Sequence, residues 1–353
     1  MKAQTSGPDQ ALISTVRSHL YPLSGSGRAL LLAEASTNRF FMLGELHGET
    51  QIPALLTDLW PMLWRDGYRH VAAEVSPWVA ERLNRGAPPY DDGAAGTWMQ
   101  AQAATVRAFA PSGASVIWGC DIEELQPNRL IAELFVENRG NSALQKMAAI
   151  VAGGYDRARA PELLQLARAA GRVRDRMAGG VSEWSSLVDT LEIEALRSDR
   201  ANRFAASVAR ENVMKRLLTR HLQSNPARRI LLRFGRNHLH RGYDARGVST
   251  LGNFVAELAF SKGENAFNIG AFAAGGSGRL QGQTFDADER GDEMTFALIA
   301  QLISEPTILD LRPLRPALNQ TVAANRSPLE ANLTYWANSY DLLLCYPVVT
   351  PLP

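Results

Sequence analysis

The sequence predicts an α/β fold: a mainly parallel central sheet flanked by helices, with a helical insertion packed over the sheet. Three observations predict it. Short apolar runs alternate with segments of helical periodicity on both sides of the middle of the chain, which is the pattern of strand–helix–strand units. The stretch from Pro127 to Gln223 is rich in Ala and Arg, helical in pattern and without a strand-like run. Two apolar runs end in the same pattern, Gly44-Glu45-Leu46-His47 and Gly235-Arg236-Asn237-His238, and a short apolar run ending in Gly reads as a buried strand entering a turn. Residues 1–126 are therefore expected to form the first part of the α/β core, 127–223 the helical insertion, and 224–353 the second part of the core.

Taken in order, Asp9 to Leu20 reads as a helix, and Arg28 to Ala33 and Phe40 to Leu43 as strands separated by a Ser-Thr-Asn turn. Gln51 to Arg65 carries Leu55, Leu56, Leu59 and Leu63 at helical spacing and stops at Gly67. The strand Val71 to Val75 follows, then a helix opened by Pro77 and running through Leu83. Residues Gly86 to Gly96 form a Pro/Gly-rich loop, Trp98 to Phe109 a helix, and Ser115 to Trp118 a strand ending in Gly119-Cys120-Asp121. The last helix of the insertion covers about Asp199 to Leu222. The sheet resumes at Arg229 to Phe234, followed by a helix over Ser249 to Ala259 and a strand over Ala266 to Ala273. Gly275 to Gly282 reads as a glycine-rich loop, Met294 to Ile303 as a helix, and Thr307 to Leu311 and Asp341 to Tyr346 as late strands.

Composition narrows the function. The chain has 353 residues, 46% hydrophobic and 21% charged, the profile of a globular protein with a full core. A net charge of +1 with scattered arginines argues against nucleic acid as a partner and against a polybasic membrane anchor. No apolar run reaches the roughly 18 residues of a membrane span, and Met1 to Leu20 lacks the apolar core of a signal peptide, so a cytoplasmic location is expected. Cys120 and Cys345 sit in apolar runs and read as buried thiols, without zinc-type spacing. The oligomeric state is open, and the expected partner is a small-molecule substrate.

Chemistry concentrates at the strand ends, where open α/β sheets bind ligands. Glu45 and His47 lie two residues apart on a turn, and a carboxylate beside an imidazole suits a general base. Gly44 and Gly48 let the backbone approach a ligand closely. Glu74 interrupts the apolar strand Val71-Ala72-Ala73-Glu74-Val75, and a buried carboxylate there needs a partner: a histidine, an arginine, a metal or a substrate hydroxyl. Asp121 holds the equivalent place after the next strand. His238 and His240 flank Leu239, with Asn237 and Arg236 adding a donor and a cation. Arg210, Arg236 and Arg241 are candidates for an oxyanion or carboxylate. His19, His70 and His221 read as structural or surface residues. No serine occupies a Gly-x-Ser-x-Gly elbow, so the site reads as histidines and carboxylates that activate water directly or hold a metal that does so.

In these segments the chain resembles the superfamily of erythromycin esterase-like, ChaN-like and TraB/TIKI-like proteins, and the esterase-like branch most. The resemblance runs through Leu43-Gly44-Glu45-Leu46-His47-Gly48, Gly67-Tyr68-Arg69-His70-Val71-Ala72-Ala73-Glu74, Gly119-Cys120-Asp121, Arg210-Glu211-Asn212-Val213-Met214 and Gly235-Arg236-Asn237-His238-Leu239-His240. It continues in Leu251-Gly252-Asn253-Phe254, Leu309-Asp310-Leu311-Arg312 and Tyr340-Asp341. The spacing of Glu45 and His47 is that of the ChaN-like and TIKI-like branches, and Arg236 stands where the esterases carry the first histidine of His-Asn-x-His. The resemblance implies an α/β fold with a helical subdomain over the cleft, and a hydrolase of ester bonds that needs no cofactor. Its catalytic residues would be His47, Glu45, Glu74 and His238, with Arg210, Arg236, Asn237, His240 and Asp121 on the substrate. Two alternatives stay open: a TIKI-like hydrolase with a divalent metal on His47, Glu74 and His238, and a ChaN-like protein that binds haem and catalyses nothing. In either hydrolase, His47, Glu74 and His238 are expected within on the order of 10 Å of one another in one pocket.

Overall fold

A computed structural model describes residues 7–89, 100–174, 177–178, 181–225, 229–291 and 293–353. The expected loop beyond residue 89 and the positions of Trp98 and Met99 lie outside the described residues. The chain is of the α/β class, its strands mostly parallel and flanked by helices. In chain order the strands are β1 (Leu20–Pro22), β2 (Phe40–Glu45), β3 (Tyr68–Ala73), β4 (Ile117–Gly119), β5 (Met177–Ala178), β6 (Val181–Ser182), β7 (Arg229–Gly235), β8 (Ala266–Ala273), β9 (Ser277–Leu280), β10 (Gln283–Asp286), β11 (Thr307–Asp310) and β12 (Leu342–Tyr346). No helix among the described residues is long and apolar enough to cross a membrane.

Two compact units divide the chain. The first comprises Met1–Tyr68, Leu231–Asp244 and Gly252–Pro353, and the second Arg69–Ile230 and Ala245–Leu251. The main divisions fall near residues 68 and 230. The strands expected at Val71 and Ser115 group with the helical stretch because their side chains pack on it: Trp118 of β4 stacks on His221 of the helix Arg203–Ser224, with centroids 4.8 Å apart.

In the first unit the strand order is β1-β11-β12-β8-β2-β7. β2 and β12 run parallel to β8, with Gly44 opposite Gly270 and Leu344 opposite Ala271, while β1, β11 and β12 pair antiparallel. All six residues of β2 are buried, as expected for a parallel strand covered on both faces. The core gathers Phe272, Phe296, Leu309, Leu333, Trp336 and Leu343, with Phe272 stacked on Phe296 at 4.2 Å.

Two expectations in this unit are corrected. Residues Arg28 to Ala33 are not a strand but part of the helix Ser26–Thr37. A short apolar run does not distinguish the two, and Ala, Leu and Glu are strong helix formers. The glycine-rich segment is not a loop: β9 and β10 form a hairpin, closed by Gln281 and Gly282, both at positive φ (49° and 76°), the geometry of a two-residue hairpin turn. The helix Pro328–Ser339 was not anticipated, although Ser327-Pro328-Leu329-Glu330 carries its start signal. The Ser327 hydroxyl accepts from the Glu330 N–H at 3.1 Å, with Pro at the first helical position.

In the second unit β3 and β4 pair in parallel, Val71 opposite Ile117 and Ala73 opposite Gly119. The helices Pro127–Glu137, Ser142–Val151, Ala160–Ala169, Glu183–Arg197 and Arg203–Ser224 make up most of the remainder. The strand-free expectation for this interval needs one correction: β5 and β6 form a two-residue antiparallel ladder, Met177 opposite Ser182 and Ala178 opposite Val181. So short a ladder carries no periodic signal that a sequence could display.

Candidate functional site

The first unit holds the two Gly-x-x-His turns side by side. β2 and β7 are neighbours in the sheet, and the short helix Arg236–Leu239 that follows β7 packs on β2. Gly44 makes this possible. A Cβ there would stand 2.8 Å from Arg236 Cα and 2.8 Å from the Ile269 carbonyl oxygen, so only glycine lets the second turn sit against the end of β2.

At that edge Glu45 is the last residue of β2 and His47 lies in the turn beyond it. The Glu45 side chain is 1% exposed and so is its partner, Arg233 of β7, whose Nε donates to Glu45 Oε2 at 2.6 Å. The other carboxylate oxygen, Oε1, stands 3.4 Å from His47 Nδ1. Both of these atoms are closed to solvent, although the His47 side chain as a whole is 31% exposed. A carboxylate held on one side by a buried guanidinium faces the imidazole on the other. It favours the tautomer with the proton on Nδ1, leaving the basic lone pair on Nε2.

Sequence reasoning missed Arg233. The signal that singled out Glu74, a charged residue inside an apolar strand, is equally present in Ile230-Leu231-Leu232-Arg233-Phe234. It also missed Glu49, buried two residues after His47, where it caps the helix Gln51–Arg65 by accepting from the N–H groups of Gln51 and Ile52. Burial pushes its carboxyl up to about 7; the Ile52 and Gln51 N–H groups and Arg233 oppose the rise, and Glu45 adds to it.

The remaining candidates of this unit have varied surroundings. His238 is buried within the turn helix, and Asn237 beside it is exposed. Arg236 pairs with both carboxylate oxygens of Glu289, donates to the Ala271 carbonyl at 2.8 Å, and lies over the rings of Phe296 and Trp336. Burial works against its charge, but Glu289 outweighs it and holds its pKa above the ordinary value. His240 is buried between Tyr335 and Tyr340, its Nε2 2.6 Å from the Ser339 hydroxyl. That hydroxyl donates to the Tyr335 carbonyl, so Nε2 must supply the proton between the two side chains. This polarity is opposite to that of a histidine activating a serine.

The second unit carries Glu74, Asp121 and Arg210. Arg210 donates from Nε to Asp121 Oδ1 at 3.0 Å and from Nη2 to Glu74 Oε1 at 2.9 Å, and Glu124 stands 3.4 Å away. Burial alone would lower its pKa; Asp121 first, then Glu124 and Glu74, raise it well above the usual value. Glu74, just beyond the end of β3 rather than within it as expected, thus has a cationic partner. His70 is buried and stacks on Trp118 at 4.2 Å, with Nδ1 3.0 Å from the Ser115 carbonyl, a structural setting. Among the described residues, no three His, Cys, Asp or Glu side chains stand together as a set that could hold a metal ion.

No protein-family model matches the chain, and no curated protein does either. Solved structures do. A protein described as a succinoglycan biosynthesis protein matches with a TM-score of 0.61 at 12% identity, over 99% of this chain and 99% of its own. A second protein, from Bacillus cereus, matches with a TM-score of 0.61 at 12% identity, over 98% and 99%. A histidine-to-asparagine mutant of erythromycin esterase EreC, in its open conformation, matches with a TM-score of 0.58 at 14% identity, over 91% of this chain and 93% of its own. The chain shares its fold with these proteins over nearly its whole length.

Proposed function

We propose that this chain is a hydrolase of the erythromycin esterase-like superfamily that cleaves an ester of a small molecule with His47 as general base. The observation that carries the reading is the line Arg233–Glu45–His47, in which a buried ion pair presents one carboxylate oxygen to the imidazole. His47 Nε2 takes a proton from water as the water oxygen attacks the ester carbonyl carbon. The imidazolium that forms is stabilised by Glu45, whose charge Arg233 keeps in place. Collapse of the tetrahedral intermediate expels the alcohol oxygen, which takes its proton from the His47 imidazolium. His238, on the adjacent turn, is assigned to the developing negative charge. The fold shared with an erythromycin esterase supports the class of reaction. The two buried free thiols, Cys120 and Cys345, suit a reducing compartment such as the cytoplasm.

The test is hydrolysis of p-nitrophenyl acetate and of a panel of lactones by the wild type and by His47→Ala. Loss of a general base costs about 10²–10⁴ in rate, and the melting temperature should change little because the ring is partly exposed. His19→Ala is the control. Ester hydrolysis that persists in His47→Ala would overturn the mechanism. Activity abolished by a chelator and restored by a divalent ion would replace it with the metal-dependent alternative.

A further inference from the structure

A general base on a turn needs something to hold the turn. The loop that carries His47 is gripped one residue later, at Gly48, whose carbonyl oxygen accepts two main-chain N–H groups: Arg279 of β9 at 2.7 Å and Leu352 at 2.9 Å. Gly48 has φ +81°, and a Cβ there would stand 2.6 Å from the Arg279 carbonyl oxygen, so the close approach needs glycine. The contact with Leu352 belongs to a longer seam. The Thr50 N–H donates to the Thr350 carbonyl at 3.0 Å, and the Thr350 N–H donates to Gln51 Oε1 at 3.1 Å. The Thr50 and Thr350 hydroxyls are 2.6 Å apart, and Gln51 Nε2 reaches the Thr350 hydroxyl at 3.1 Å. Glu49 and Pro351 form a bridge between the two segments.

The far side of the seam is equally tied. The Val349 N–H donates to the Gly275 carbonyl at 2.9 Å, and the Ser277 N–H to the Val349 carbonyl at 3.1 Å. Val349 and Leu352 are both buried. Residues 349–352 therefore form a strap with the His47 loop on one edge and the β8–β9 connection on the other. Its attachments to the loop are spread over residues 48–51, immediately after the proposed base.

We infer that residues 349–352 are a working part of the reaction centre, the Leu352 main-chain N–H acting as a positioning group that holds the His47 turn against Glu45. This rests on the reading of His47 as the base. Nδ1 faces Glu45 at 3.4 Å, and loosening the turn by a fraction of an ångström at Gly48 breaks that alignment without removing any group that touches substrate. Misplacement of a catalytic group by about 1 Å can cost about 10²-fold in rate.

Leu352→Pro deletes the N–H, and Leu352→Ala keeps it while losing the side chain. With p-nitrophenyl acetate, kcat of Leu352→Pro should fall about tenfold or more with KM within about twofold of wild type. Leu352→Ala should lose several-fold less of its kcat, even if its melting temperature drops as far. Because the proline variant can fail to fold, Thr350→Val is the second probe. It should lower kcat several-fold, and Thr350→Ser, which restores the hydroxyl, should recover it. A readout independent of turnover is the ring nitrogen NMR shifts of His47, identified by their absence in His47→Gln. Wild type should show one tautomer with Nδ1 protonated, and Leu352→Pro and Thr350→Val a mixture. Equal kcat losses in the proline and alanine variants, or an unchanged tautomer in Leu352→Pro and Thr350→Val, would reduce the strap to a structural feature. If His47→Ala retains full activity, the base assignment fails, while the tautomer measurement still decides whether the strap holds the turn.

Discussion

Arg233 and Glu45 form a pair in which each side chain is only 1% exposed. Breaking such a pair from one side leaves an uncompensated charge, which costs about 3–5 kcal/mol, whereas removing both charges costs much less. Arg233→Met should therefore lower the urea midpoint strongly, and Arg233→Met combined with Glu45→Gln should recover most of the loss. Additive losses in the double variant would mean that the two side chains are not coupled. At this scale the sequence singles out Glu45 and His47 as candidates because glycines, an apolar run and two polar groups coincide at a strand end. Glu74 stood out because a carboxylate at the end of an apolar run demands a partner. The identity of that partner, Arg210, and the pairing of Glu45 with Arg233 were not, because each joins residues far apart in the chain.

At the scale of elements, the two turns meet through the missing side chain of Gly44. Gly44→Ala places a Cβ 2.8 Å from two main-chain atoms, Arg236 Cα and the Ile269 oxygen, and main chain does not yield as a flexible side chain would. Overpacking of this kind costs about 1–3 kcal/mol. Turnover should fall by more than stability alone explains, since the shift moves both histidine-bearing turns. A Gly44→Ala enzyme with wild-type kcat would show that the turns tolerate separation. Secondary structure was readable where periodicity is long. The helix Gln51–Arg65 and the strand Ala266–Ala273 have the expected bounds. It was unreadable where a segment is short, as in β5–β6, or ambiguous between periods, as in Ser26–Thr37.

For the molecule as a whole, three buried titratable groups shape stability against pH. Burial holds the Glu49 and Glu123 carboxyls up at about 7, against an unfolded value of about 4.3. The folded state keeps these protons longer, so each group's contribution falls as pH rises from about 4.3 to 7 and is constant above. Glu49→Gln, which still offers an oxygen to the Gln51 and Ile52 N–H groups, should be relatively more stable than wild type at pH 8 than at pH 4. His221 has the opposite sign. Burial lowers it to about 4, only partly opposed by its hydrogen bond with the Gly119 backbone, so its stability is complete above about 6.5 and is lost as pH falls through 4. His221→Phe, which keeps a ring against Trp118, should flatten the loss between pH 6.5 and 4 in thermal melts. Parallel pH curves for either variant and wild type would refute the corresponding assignment.

The α/β class, the alternation of strands and helices and the two histidine-bearing strand ends follow from local information, because periodicity and glycine placement act over a few residues. What only the tertiary structure decided is which groups meet. It brought Arg233 to Glu45, the strap 349–352 to the His47 loop and Arg210 to Glu74 and Asp121, and it put β3 and β4 in the helical unit. Each of these is a long-range contact selected by burial. Glu45, enclosed by the sheet, must be neutralised by whatever cation the neighbouring strand presents, and strand order is settled by how the layers pack together.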